Sequence, residues 1–231
     1  MKAGKLTSEL DPKYLSKERL EARAEKELEK FAGGAQLVAP IPLDVDRFAE
    51  FHLGAALDYQ RLSSDGSVLG MSIFQELSIP VFESTGARVD IVFPERTIVI
   101  DDDALRDSPD SRLRFTIAHE CAHLLLHRHI YYRDPRMKCK GGTGYRPFTT
   151  TSEGVRADNK VDRAEFQANY LGAALLMPRD PFSQAFTELA PEGWRSLDER
   201  RKRRVVRELA RTLEVSKQAA AIRIKNLKLA A

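Results

Sequence analysis

Two histidines one helical turn apart form the part of the sequence best suited to hold a metal ion. The stretch RFTIAHECAHLLLHRH, residues 114–129, contains His119 and His123 with Glu120 between them. Because positions i and i+4 lie on the same face of a helix, both imidazoles can reach one ion, at about 2.0–2.1 Å if it is zinc. The alternative is that both rings are partly buried on a packing face and make ordinary hydrogen bonds.

Glu120 follows the first histidine, so its carboxylate is expected beside the ion. In the H-E-x-x-H motif of metallopeptidases, this glutamate takes a proton from water that the metal activates and returns it to the leaving amine. The motif therefore predicts hydrolysis of a peptide bond, with Glu120 as the catalytic base. Zinc is the expected cofactor, and a site of two histidines and one carboxylate also accepts manganese or iron.

The two later histidines of this stretch fit poorly as a third ligand. His127 is eight positions after His119, about 12 Å along an intact helix, so it suits packing or a hydrogen bond to a ligand. His129 has the spacing of the third histidine in the longer motif H-E-x-x-H-x-x-G-x-x-H, but the glycine of that motif is replaced here by Leu126.

Glu165 is the favoured third ligand. It opens the segment EFQANYLGAALLMP, whose small residues Gly172, Ala173 and Ala174 allow one helix to lie close against another. Two histidines, one glutamate and a water then make an open metal site. Asn169, one turn after Glu165, can orient one of the ligand side chains by a hydrogen bond without contacting the ion itself. From spacing alone, Glu165 can equally be one more exposed carboxylate.

The elements that must position these residues can be read from periodicity. Helices are expected over residues 13–31, over 44–57, over 109–127 after a capping Ser108, and over 160–177. The stretches MSIFQELSIPVF and ARVDIVFPERTIVID alternate like strands, and the chain after residue 177 is mainly helical. These elements predict a fold of the α+β class.

Composition places the chain among ordinary globular proteins. It has 231 residues, of which 42% are hydrophobic and 31% are charged, without a stretch that fits a membrane span or a secretory signal. Two cysteines do not make a disulfide framework, so the expected location is the cytoplasm. The expected organisation is an N-terminal extension (1–34), a peptidase domain (35–190) with a long basic loop at 128–160, and a basic helical element (191–231).

The C-terminal element carries most of the positive charge. From residue 195 onward there are twelve Lys or Arg against four Asp or Glu, although the whole chain is only +3. Two helices around a turn at 213–216, with Ser216 as a cap, fit a helix-turn-helix. In a DNA-binding version Lys217, Gln218 and Arg223 would face the major groove, with residues 200–204 on phosphates. The alternative is a solvated helix face that completes the domain.

The two motifs together resemble the ImmA/IrrE family of metallopeptidases. RFTIAHECAHLLLH is similar to the family's active-site helix, EFQANYLGAALLMP to its second signature, and APIPLDVDRFAE to the connector that opens its domain. The resemblance covers about residues 20–231. It implies a zincin-like fold, in which the active-site helix and the helix of Glu165 pack on a small mixed sheet. It also implies that His119, His123 and Glu165 are the ligands and that Glu120 is the base. The pair Cys121-Ala122 and the long insert before Asp158 depart from the family pattern.

The resemblance also implies a partner and a biological role. Members cleave a transcriptional repressor of the helix-turn-helix XRE type, which relieves repression of stress-response or mobile-element genes. The alternative function is a non-enzymatic regulator that binds DNA through its C-terminal element and keeps a structural metal. A closed structural site needs a fourth protein ligand, for which Cys139 and His129 remain, so the sequence favours an open, catalytic site. Tyr145, Arg146 and Tyr170 are candidates to stabilise the oxyanion.

Overall fold

The computed structural model describes residues 13–128 and 160–230 of the chain. Its helices are α1 (Lys17–Lys30), α2 (Ala35–Val38), α3 (Val45–Arg47), α4 (Asp102–Leu105), α5 (Asp110–Leu126), α6 (Lys160–Leu176), α7 (Arg179–Leu189), α8 (Glu199–Thr212) and α9 (Lys217–Asn226). Its strands are β1 (Ala56–Gln60), β2 (Gly70–Ile73), β3 (Leu77–Phe82), β4 (Arg88–Phe93) and β5 (Thr97–Asp101). The predicted α+β class is confirmed.

A three-stranded sheet packs against helix α5. Its order is β1-β5-β2, with β1 parallel and β2 antiparallel to the central strand β5. Strands β3 and β4 form a separate antiparallel hairpin. Because side chains alternate along a strand, Ile98 and Ile100 face the helices, whereas Val99 faces the hairpin core. The sheet is therefore a middle layer between the hairpin and the helices.

Helix α5 is buried on more than one side where it carries the H-E-x-x-H sequence. Residues 116–123 are all buried, because β2 and β5 pack on one side of the helix and α6 on the other. Gly172 of α6 makes the closest approach: a Cβ there would lie 3.2 Å from the carbonyl of Ala118 and from the amide nitrogen of His119. The prediction that small residues bring the two helices together is confirmed at Gly172.

One continuous apolar core contains residues from α1 at one end of the chain to α9 at the other. Leu20, Ala24 and Leu28 of α1 are buried, as their helical spacing predicts. Among the described residues, no helix is both long and apolar enough to cross a membrane. The division into residues 1–34, 35–190 and 191–231 stays a prediction.

The region around residue 55 differs from expectation. The helix expected over 44–57 ends early: α3 continues into a π-helical turn, Phe48–His52, and the chain then forms β1 from Ala56. Gly54, with φ +62°, adopts the left-handed conformation that allows the change of direction. The strand exists because Ala56–Gln60 pairs with β5, a long-range contact that local periodicity does not reveal.

Helix α5 also begins differently from the expectation. Its N-cap is Pro109 and has no side-chain cap, whereas Ser108 bonds to the carbonyl of Ala104 and to Arg112.

At the other end of the chain, two helices joined at residues 213–216 are present, and Ser216 caps α9 by accepting from the amide of Ala219.

Candidate metal centre

The possible ligand atoms of three residues converge where α5 meets α6. The Nε2 atoms of His119 and His123 are 3.0 Å apart, and the two oxygens of Glu165 lie 3.3 Å from them, one from each ring. The two histidines come from successive turns of α5, and Glu165 comes from the first half of α6. We call these three residues the His–Glu cluster. The structure thus brings together the three residues that the sequence predicted.

The donor set and the spacing fit a single divalent ion. Ligand atoms at about 2.0–2.1 Å from a tetrahedral ion stand about 3.3 Å from one another, close to the spacings in the cluster. Imidazole nitrogens with one carboxylate suit zinc and related metals. The His119 and His123 side chains are 4% and 2% exposed, whereas that of Glu165 is 26% exposed. The cluster is therefore reached from solvent on the Glu165 side.

The charges of the His–Glu cluster also favour a cation. Burial raises the pKa of the Glu165 carboxyl, but its contacts with the His119 and His123 rings outweigh this and hold the pKa well below its usual range. Burial lowers the pKa of His119, but its contacts with Glu165 and the nearby Glu120 charge outweigh that and leave the pKa raised. The lowered pKa keeps the Glu165 carboxyl ionised, which is the form that binds a metal ion, and the raised pKa of His119 reflects the negative charge of the two carboxylates near it.

Glu120, the predicted base, lies under strand β2. Its side chain is buried, and its Oε2 accepts a hydrogen bond of 2.7 Å from the hydroxyl of Ser72, which also lies 3.0 Å from the Glu120 carbonyl oxygen. A Cβ at Gly70 would lie 2.9 Å from Thr116 Cγ2 and 3.1 Å from Glu120 Cγ. The helix-facing positions of β2 are therefore small or polar, which lets the strand run close over the carboxylate.

Each histidine of the His–Glu cluster has a partner for its other ring nitrogen. His119 Nδ1 is 3.1 Å from Oδ1 of Asn169, the residue expected to orient a ligand. His123 Nδ1 is 3.0 Å from Nδ1 of His127, which follows the last residue of α5. Such outer partners fix the orientation of a ligand ring and its tautomer. The structure places His127 beside His123 and outside the group of three converging residues, and its role stays a prediction.

Two sequence candidates belong to a different cluster, on the α1 side of α6. The guanidinium of Arg223 makes hydrogen bonds of 2.5 and 2.8 Å to the two oxygens of Glu21, and Tyr170 donates to Glu21 at 2.7 Å. All three residues are buried. Burial, followed by the hydrogen bond to Glu21, raises the pKa of the Tyr170 hydroxyl. We call Glu21, Tyr170 and Arg223 the ion-pair cluster.

The ion-pair cluster corrects the expectation for Arg223. This side chain is 1% exposed and also donates to the carbonyl of Met177, so it faces the interior and not a DNA groove. The Tyr170 hydroxyl is likewise used by Glu21 inside the protein, so it is not free to stabilise an oxyanion. Lys217 and Gln218 lie exposed at the start of α9, and their DNA contacts stay a prediction.

Some candidates lie outside the described residues. These are His129, Cys139, Tyr145 and Arg146, together with most of the expected loop at 128–160. Sequence reasoning assigned no role to Ser72, Gly70 or Gln167, which contact Glu120 or His127. A partial signal was present for Ser72, a polar residue near the start of a predicted strand, whereas Gly70 lay just before that strand in a stretch typical of a turn.

The comparisons with known proteins agree with this geometry. The family model Peptidase_M78, described as the IrrE N-terminal-like domain, matches residues 74–225, a shorter stretch than the expected 20–231. The match includes α5 and α6, and thus every residue of the His–Glu cluster. A search of curated proteins gives no match. Because the matched residues make up more than half of the chain, it belongs to the Peptidase_M78 family, with an IrrE N-terminal-like domain.

Proposed function

We propose that the chain is a zinc-dependent endopeptidase whose substrate is a transcriptional repressor of the XRE type. The observation that carries the hydrolytic part is the convergence of His119, His123 and Glu165, with the buried carboxylate of Glu120 close enough for its charge to act on His119. The repressor rests on the resemblance to the ImmA/IrrE family. The cleavage would relieve repression of stress-response or mobile-element genes, in a cytoplasmic setting.

The His–Glu cluster would hold the ion. A bound zinc would supply a Lewis acid that lowers the pKa of water toward neutrality and polarises the scissile carbonyl. The protein's part is to provide three ligands and no more among the described residues, so that room for water and substrate remains. Manganese or iron fits the same donor set.

Glu120 moves the proton. Its carboxylate accepts a proton from the attacking water and gives the same proton to the nitrogen of the departing amine, so the residue ends as it began. Ser72 holds one carboxylate oxygen by its 2.7 Å hydrogen bond, which fixes the direction of the other oxygen. Because the Glu120 side chain is buried, its carboxylate can exchange protons with water only through the open metal site.

Strand β2 offers a place for the substrate backbone. Among the described residues it pairs with β5 on one edge only, and its other edge has no strand partner. The strand passes directly over Glu120 through Gly70 and Ser72. An extended segment of the substrate can therefore add to this edge by backbone hydrogen bonds, with its peptide bond beside Glu120.

The substitution Glu120→Gln tests the proposal. It keeps the size of the side chain and its contact with Ser72 but removes the base, so cleavage of co-expressed XRE-type repressors should fall about 10²- to 10⁴-fold. Zinc content and thermal stability should stay near those of the unaltered protein. Glu83→Gln, at an exposed carboxylate far along the chain in the β3–β4 turn, is the matched control.

Three outcomes decide between the alternatives. Unchanged fragment yields from Glu120→Gln, measured by mass spectrometry, would exclude Glu120 as the base. Loss of cleavage together with full derepression in cells would favour the non-enzymatic DNA-binding regulator. Cleavage of unrelated proteins but of no XRE-type repressor would keep the peptidase and reject the substrate.

A further inference from the structure

A line of hydrogen bonds runs from the His–Glu cluster to the segment before α1. His123 Nδ1 lies 3.0 Å from His127 Nδ1, and His127 Nε2 lies 3.0 Å from Oε1 of Gln167. The amide nitrogen of Gln167 then donates to the backbone carbonyl of Lys13 at 2.8 Å. His123, His127 and Gln167 are each 2% exposed or less, so solvent does not substitute for these partners.

The carbonyl of Lys13 sets the direction of the whole line. A carbonyl oxygen only accepts, so the amide nitrogen of Gln167 must face Lys13 and its oxygen must face His127. The Nε2 of His127 must then donate, and in the neutral ring its Nδ1 accepts. The Nδ1 of His123 is therefore the donor, and the Nε2 of His123 keeps its lone pair toward Glu165.

We propose that His127 and Gln167 are positioning residues that hold His123 in its metal-binding tautomer, with Lys13 anchoring the direction of the hydrogen bonds. The inference rests on the metal site of the proposed function. It gives a role to two residues outside the ligand set, one of which follows α5 while the other lies on α6. It also connects metal binding to residue 13, which precedes the stretch that matches the family model.

Zinc affinity is the direct readout. It is measured on the full chain by competition with a chromophoric chelator. Loss of a partner that orients a histidine ligand costs about 10- to 100-fold in metal affinity. We expect a loss in this range for His127→Phe, which removes both ring nitrogens, and a loss at its lower end for Gln167→Leu. Gln184→Leu is the matched control, because Gln184 is exposed on α7 and bonds only to Glu188 among the described residues.

A conservative variant separates positioning from packing. Gln167→Glu keeps an oxygen acceptor for His127 Nε2 and loses only the donor to Lys13. Its zinc affinity should therefore stay nearer that of the unaltered protein than the affinity of Gln167→Leu does. A role in packing alone predicts the reverse, because the charged side chain is the more disruptive one in a buried place. Thermal unfolding of the ion-free variants checks that each one folds.

The tautomer of His127 is a second, independent readout. Long-range ¹H–¹⁵N correlation spectra of the zinc-loaded protein should show His127 as the neutral Nε2–H form, and Gln167→Leu should change these shifts. A folded protein that binds no zinc at all overturns both the proposed function and this inference. Tight zinc binding that is equal in His127→Phe and Gln167→Leu, or an Nδ1–H form of His127, overturns the inference and leaves the proposed function standing.

Discussion

Helix α6 contributes to two buried polar clusters that differ in how their charges are matched. In the ion-pair cluster, each oxygen of Glu21 receives a hydrogen bond from Arg223, and Oε1 receives another from Tyr170. In the His–Glu cluster, the Nδ1 atoms of both histidines already have outer partners, so two ring nitrogens and a carboxylate turn their lone pairs toward one point. The first cluster is complete within the protein, whereas the second is complementary to a cation.

The two clusters separate buried charges that stabilise the fold from charged groups that can bind a metal ion. A matched buried pair contributes little net free energy but is costly to break, since one charge is then left alone in the interior. A cluster of converging ligands instead gains its free energy from the ion it binds. Stability measurements should therefore report on the ion-pair cluster, and zinc affinity on the His–Glu cluster.

The largest effect on stability is expected from Arg223→Met. It leaves the buried Glu21 carboxylate without its main partner, and such a loss costs about 3–5 kcal/mol in the free energy of unfolding. Urea unfolding of the ion-free protein measures this value. Arg203→Met, on the exposed face of α8, is the matched control. A second change, Glu21→Met, should restore much of the loss. A parallel loss of zinc affinity in the folded Arg223→Met protein would show that the two clusters are not separate.

The converse experiment is Glu165→Gln. The amide is a poor ligand, so zinc affinity should fall at least about 100-fold, more than the loss of an outer partner produces. The free energy of unfolding of the ion-free protein should change much less than in Arg223→Met, because Glu165 is partly exposed to water. Glu188→Gln is an exposed control on α7. Retained tight zinc binding would mean that a residue outside the described ranges supplies a ligand.

A smaller effect is expected where the two helices touch. In Gly172→Ala, the new Cβ lies 3.2 Å from the α5 backbone at Ala118, which cannot move aside as a flexible side chain can. Overpacking of this kind costs about 1–3 kcal/mol, against which alanine regains up to about 1 kcal/mol of helix propensity. Because α6 must shift, zinc affinity should fall as well. Gly172→Ser should reduce the free energy of unfolding and the zinc affinity further. Equal affinity in all three proteins would show that helix separation does not set the ligand geometry.

The local part of the site was predictable from the sequence, and the long-range part was not. His119, Glu120 and His123 are placed by helical geometry alone, so their spacing determines their arrangement. Glu165 depended on how closely α6 packs, for which Gly172 was only an indication. The pairing of Glu21 with Arg223, across 202 positions, has no local signal, and the DNA-binding version of the C-terminal element placed Arg223 at the surface. Likewise β1 forms through its pairing with β5.

The position of α1 has a practical consequence for anyone who excises the stretch matched by the family model. A fragment of residues 74–225 would lack Glu21, Ser72 and the Lys13 carbonyl. Arg223 would then lose the carboxylate that pairs with its guanidinium. The Glu120 carboxylate would lose the hydrogen bond from Ser72, and the Gln167 amide would lose its acceptor at Lys13. Chimaeras and crystallisation fragments should therefore begin upstream of α1, since the boundary of sequence similarity is not the boundary of a self-sufficient folding unit.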